Sequence, residues 1–381
     1  MTPFSLRTPD RILFGRDARL QAADAIADFG RKVALVRGGA VPWVDTLRQD
    51  LTDAGAEVLE LRSAGEPSLP QLDAALARAR PFEPDVVVAV GGGATVDLGK
   101  AIAGLIRSPL PPIAHFEVVG AGHPIDGPVC PFVAIPTTSG TGAEATKNAV
   151  ITVPERAIKV SLRDDRMLAA LALVDPALTD GCPKALTLAS GLDAVTQLIE
   201  PYVSCRANPV TDSLCRDMIP QALAALARLM QTEDPDARDT LSRASLLSGI
   251  VLANSGLGIV HGLAGVIGGR TGAPHGALCG RLLPASLTVN HAALRDAGQS
   301  TARIDEVWGW IGEALGQDRA NRREALESFL AANGLTTLEA MGCTAADHAA
   351  IAAQAAKASS TKANPVVLTE AQIAGILAQT P

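Results

Sequence analysis

The stretch DVVVAVGGGATVDLGKAIAGLI, residues 85–106, decides how the first half of this chain folds. Its opening, 85–90, is an unbroken apolar run rich in valine, as expected of a strand buried on both faces of a parallel sheet. Gly91, Gly92 and Gly93 then break the run, and a helical period follows over 95–106. A strand that passes through glycines into a helix can bring its backbone close to a ligand. The free N–H groups at the helix start attract phosphate.

Working outward, the same theme repeats. Residues 32–36 (KVALV) predict a strand and the segment through Leu51 a helix, with a second strand at 57–61 and a helix at 69–79. PFVAI (131–135) predicts a further strand, ending in the loop PTTSGTG (136–142). Residues 149–153 and 159–162 flank a Pro-Glu-Arg turn and predict a hairpin, and 171–174 predict one more strand. Beyond Pro183 the β-branched runs give way to alanine- and leucine-rich helical periods, with amphipathic helices at 303–315 and 322–332. Strand–helix alternation predicts a doubly wound α/β nucleotide-binding domain over residues 1–180. An all-helical metal- and substrate-binding domain is expected over residues 181–381. Neither glycine loop is a GxGxxG fingerprint followed by an acid about 20 residues on, so a standard Rossmann site is not expected.

Composition narrows the function. A chain of 381 residues exceeds the usual size of one core, which favours two domains. The net charge of −7, with no cluster of lysine and arginine, argues against a nucleic-acid partner. No apolar run is long enough for a bilayer span and no signal-peptide pattern opens the chain, so a cytoplasmic protein with no membrane partner is expected. The six cysteines (Cys130, Cys182, Cys205, Cys215, Cys279, Cys343) show no CxxC spacing and are expected to be reduced, mostly buried apolar fillers.

Asp193 and Gln197, four apart in a helical segment, share a helix face. His261 lies in a second helical stretch and His275 opens a third after Thr-Gly-Ala-Pro. Two helices and a loop can bring these four side chains together.

Several motifs carry a family resemblance: GGGATVDLGKAIA (91–103), IPTTSGTGAEAT (135–146), LVDPALT (173–179), GLDAVTQLIE (191–200), HGLAGVIGG (261–269) and PHGALCGRLLP (274–284). In this order they resemble the iron-containing (group III) alcohol dehydrogenases. The resemblance implies the fold shared with dehydroquinate synthase: an α/β dinucleotide-binding domain, a helical domain and a cleft between them. It implies NAD(P)-dependent hydride transfer between an alcohol and its aldehyde or ketone, a small-molecule substrate, and a homo-oligomer, typically a dimer. The segment through Phe14 is a candidate for pairing across that interface.

The resemblance also implies a divalent iron or zinc held by one aspartate and three histidines. Carried over, the ligands are Asp193, His261 and His275, with Gln197 where the family has histidine, and His261 and His275 double as catalytic groups. Gly265 stands where many members place a further histidine assigned to proton relay. Gly92, Gly93, Ala94, Thr137 and Thr138 are the loop residues expected against the dinucleotide. The family pattern adds Ser68, Asp97, Lys100, Thr141 and Lys159, although Asp97 also fits a charge complementing the helix start. At the end of the 32–36 strand, Gly38 and Gly39 replace the aspartate of many NAD-preferring relatives. With Arg37 beside them, the pattern favours NADP. Three alternatives are a metal-independent reduction of an unsaturated keto acid, as in maleylacetate reductases; a dehydroquinate synthase-like lyase; and a cofactor-binding homologue with weakened catalysis.

Overall fold

The computed structural model describes residues 3–39, 41–116, 118–156, 158–316 and 321–381. The chain divides into two compact units.

The α/β unit comprises Arg7–Thr138 and Gly142–Asp180. Its main sheet is built from β1 (Arg11–Phe14), β2 (Lys32–Arg37), β3 (Glu57–Arg62), β4 (Val86–Gly91), β5 (Phe132–Pro136) and β8 (Leu171–Val174). The spatial order is β1-β8-β5-β4-β2-β3, with every pair parallel. The hairpin expected from residues 149–162 forms as β6 (Asn148–Val153) antiparallel to β7 (Ile158–Arg163). Strand periodicity sorts the valines to opposite faces. Val33, Leu35, Val86, Val88 and Val90 pack with α1 (Ala22–Ala27) and α2 (Trp43–Asp53). Ala34, Val36, Val87 and Ala89 pack with α3 (Leu69–Phe82) and α4 (Gly93–Leu105). β4, buried at every position, is the central strand that its unbroken apolar run predicts.

The N-terminal segment forms an edge strand: β1 lies in register with β8, Arg11 opposite Leu171 and Phe14 opposite Val174, and among the described residues no strand pairs with its other side. One expectation changes here. The helix after the glycines begins at Gly93 rather than Thr95, because Gly92 already occupies the N-cap.

The helical unit comprises Gly181–Pro381, the short segment Ser139–Thr141 and, at the N-terminus, residues 3–6. Its axis is α5 (Lys184–Val203), buried continuously from Gly191 to Val203. α6 (Pro209–Leu229), α7 (Pro235–Ser255) and α9 (His275–Asp296) pack around it. α8 (Ile259–Thr271) leaves α7 at a bend of 103°, where Gly256 takes a left-handed φ of 70° that relieves the turn. Among the described residues no single helix is long and apolar enough to cross a membrane.

Two glycines on α9 set its distance from α5. A Cβ on Gly280 would come within 2.4 Å of the Leu192 side chain, and one on Gly276 within 2.1 Å of the Ala189 carbonyl oxygen. The two backbones therefore touch, and the residues beside those glycines, His275 and Cys279, are carried onto the Asp193 face of α5.

Candidate functional site

In the α/β unit the sheet order reverses between β2 and β4, since β3 lies on one side of β2 and β4 on the other. Open parallel sheets bind ligands outside the carboxyl ends of their strands at such a switch point. Three loops meet there. The Gly38 N–H donates to the Val90 carbonyl at 3.0 Å, and Thr137 N–H to the Gly91 carbonyl at 3.0 Å. A Cβ at Gly38 would lie 2.7 Å from Thr95 Oγ1, and one at Gly92 would lie 3.3 Å from Thr138 Oγ1. Gly38, Gly92 and Thr138 thus line a cradle that side chains would fill, with the half-buried Gly93 and Ala94 opening α4 beside them. Their N–H groups precede the first intrahelical acceptor and face outward as anion donors.

Other residues expected at the dinucleotide have structural partners. The Asp97 carboxylate accepts from Val150 N–H at 2.9 Å, tying α4 to β6; it lies beyond the first turn of α4, so the helix-start role does not apply. Lys100 is fully buried and donates to the Ala143 and Asn148 carbonyls and to Thr146 Oγ1, which leaves its ammonium no donor for a ligand. Ser68 caps α3, its hydroxyl accepting from Gln71 N–H. Lys159 pairs with Glu66 at 3.4 Å. Thr141 belongs to the segment that joins the helical unit, and Gly39 stands in open space. The Arg37 guanidinium lies 2.6 Å from Asp45 and 3.6 Å from Glu60, so the cation expected to meet a 2′-phosphate is already paired with two carboxylates.

In the helical unit Asp193 (α5), His261 (α8) and His275 (α9) come together, joined by Cys279, with one donor atom from each within 4.8 Å of the others. His261 Nε2 lies 3.3 Å and His275 Nε2 3.8 Å from Asp193 Oδ1. Cys279 Sγ lies 3.7 Å from His275 Nε2. Cys279 is buried, as its lone spacing suggested, and its sulfur lies among the candidate donor atoms. Gln197, one turn along α5 from Asp193, donates its amide N–H to the Gly140 carbonyl at 3.2 Å. A Cβ on Gly265, one turn beyond His261, would touch nothing within 4 Å.

Glu200, which sequence reasoning passed over, orients the cluster. One carboxylate oxygen accepts from His261 Nδ1–H at 2.6 Å and the other from Val260 N–H at 2.7 Å, at the start of α8. Gly258 permits that approach, since a Cβ there would lie 2.8 Å from Glu200 Oε1. With Nδ1 engaged, His261 presents Nε2 to the cluster, as metal-ligating histidines usually do.

Asp193 Oδ1 and His261 Nε2 are buried without a well-formed hydrogen bond. Buried polar atoms are rarely left so, and aspartate, two histidines and a thiol are the donors of a divalent transition metal. The electrostatics agree. Burial resists protonation of His275, yet Cys279 and Asp193 outweigh it and hold the imidazole up at about 9. Burial likewise opposes a charge on His261, but Cys279, Glu200 and Asp193 raise it well above the ordinary histidine value. Negative groups around both imidazoles favour a positive charge at the cluster. The residues present fit a metal ion.

Comparison with known proteins follows the same lines. The family described as iron-containing alcohol dehydrogenase matches residues 9–176, and the C-terminal family of Fe-containing alcohol dehydrogenases matches residues 187–380. The chain is 30% identical to the NAD-dependent methanol dehydrogenase of Bacillus methanolicus, over 99% of each protein. It is 30% identical to the 1,3-propanediol dehydrogenase of Klebsiella pneumoniae, over 99% of this chain and 98% of that one. The structure of an alcohol dehydrogenase from Oenococcus oeni superposes with a TM-score of 0.85 at 25% identity, covering all of both chains.

Proposed function

The chain belongs to the iron-containing alcohol dehydrogenase family and is an NAD(P)-dependent oxidoreductase of alcohols and aldehydes; on that premise we propose that Asp193, His261 and His275 hold its divalent metal and that the Gly38, Gly92 and Thr138 cradle receives the dinucleotide. The observation that carries the metal assignment is the pair of unsatisfied buried atoms, Asp193 Oδ1 and His261 Nε2, aimed into one cluster. The ion, when bound, acts as a Lewis acid on the carbonyl oxygen and stabilises the alkoxide.

The chain's own groups do the rest. Glu200 fixes the tautomer and ring orientation of His261. The N–H groups of Gly93 and Ala94 hold the pyrophosphate at the start of α4. With glycine at 265, that turn of α8 offers no side chain to take the proton released on alcohol oxidation, and the proton leaves through solvent. The dinucleotide is NAD rather than NADP, because Asp45 and Glu60 occupy Arg37 and would repel a 2′-phosphate. Self-association uses the outer edge of β1, where Ile12 and Phe14 are exposed on an edge strand.

Elemental analysis of protein purified without chelator, run beside NADH and NADPH oxidation with a panel of aldehydes, tests this reading. Near-stoichiometric metal, loss of metal and activity together in Asp193→Asn, and a lower KM for NADH than for NADPH are expected. Full turnover by metal-free protein would overturn the metal assignment.

A further inference from the structure

We infer that Cys279, rather than Gln197, supplies the fourth protein donor to the divalent ion, making an Asp/His/His/Cys site suited to a thiophilic metal such as zinc. The inference rests on the metal reading of this same cluster and adds to it the identity of the last ligand.

Geometry comes first. Four donors bonded at roughly 2.0–2.3 Å in tetrahedral array are separated by about 3.3–3.8 Å. The spacings here are 3.3 Å from Asp193 to His261, 3.8 Å from Asp193 to His275 and 3.7 Å from His275 to Cys279. His275 and Cys279 are four apart on α9, so they face the ion as neighbours on one side of the helix. The Gly276 and Gly280 contacts that press α9 onto α5 bring the Cys279 sulfur to the Asp193 side of α5.

Charge points the same way. Asp193 and Cys279 are both buried. As carboxylate and thiolate they would set two negative groups directly against a divalent ion, whereas a neutral amide in place of the sulfur would set only one. Gln197 would offer its amide oxygen, a hard neutral donor, since its amide nitrogen donates to the Gly140 carbonyl. The sulfur is the softer and stronger partner. On binding, the Cys279 S–H ionises, its proton passes to solvent and a sulfur–metal bond forms, with no change of oxidation state.

Cobalt(II) titration of the chelator-treated full-length protein tests the assignment, because thiolate ligation gives a sulfur-to-cobalt charge-transfer band in the near ultraviolet that oxygen and nitrogen donors do not. The wild type should take up one equivalent and show the band. Cys279→Ser should lose the band and bind cobalt about tenfold more weakly or worse, while Gln197→Ala should retain the band. Bound cobalt with visible ligand-field bands but no charge-transfer band, or a band that survives in Cys279→Ser, would overturn the role of Cys279 and leave the metal centre standing. No cobalt uptake by folded wild-type protein would overturn the metal centre itself.

Discussion

The two units build their sites from opposite materials. In the α/β unit the cradle is backbone: Gly38, Gly92 and the opening N–H groups of α4 make it, while charged side chains nearby tie the scaffold together. In the helical unit the backbone makes only the contact between α5 and α9, and the chemistry is all side chain. A site of the first kind is sensitive to added bulk and indifferent to most side-chain chemistry. A site of the second kind is sensitive to identity, and one donor can be exchanged for another while the scaffold stays put.

The largest expected effect comes from removing a donor. His261→Ala should lower kcat/KM by about a thousandfold and abolish metal retention, with dinucleotide affinity little changed. Steady-state kinetics with metal analysis would check it, and full activity would break the side-chain half of the contrast. Next is bulk in the cradle: Gly38→Val should weaken NADH binding by about tenfold, equivalent to roughly 1.4 kcal/mol, at unchanged metal content. Fluorescence titration with NADH measures this. Glu200→Gln keeps the shape but loses the carboxylate that orients His261, and metal affinity should fall by about 10-fold to 100-fold in a chelator competition assay.

The smallest effect concerns the scaffold of the α/β unit. Burial pushes the Glu144 carboxyl up to about 7, and its Oε1 has no hydrogen-bond partner. The folded state therefore prefers Glu144 protonated; that stability is complete below the ordinary glutamate value of 4.5 and is lost as pH rises through about 7. Glu144→Gln should flatten the pH dependence of the denaturation midpoint between those values, and an unchanged profile would show that the carboxyl is better solvated than its burial implies.

Much of this molecule was legible in its residues. The valine run of β4, the glycines after it and the change of texture past Pro183 reveal the parallel sheet and the helices because each depends on local periodicity. Asp193, His261 and His275 were legible through motif and spacing, and the structure brings them together. Cys279 and Glu200 were not: Glu200 meets His261 on another helix, and Cys279 stands one turn from His275 on the same one. The signal for Cys279 was its four-residue spacing from His275, masked by the general habit of lone cysteines as apolar fillers. Glu200 closes the same GLDAVTQLIE segment that contains Asp193, seven residues or two turns on. Arg37, Asp97 and Lys100 illustrate the converse: a charge near a binding loop looks available in the sequence, while the fold gives each a protein partner. β1 escaped notice because four residues at a sheet edge carry little periodic signal.

The three helices that supply Asp193, His261 and His275 lie far apart along the chain, with 68 residues from Asp193 to His261 and 14 more to His275. An ion held among them is thus also a cross-link. It closes two loops of very different length, and the entropy denied to the unfolded chain adds to folding stability much as a covalent staple would. Chelation should then lower the melting temperature of the helical unit and spare the α/β unit, separating two transitions in calorimetry where the loaded protein shows them closer together.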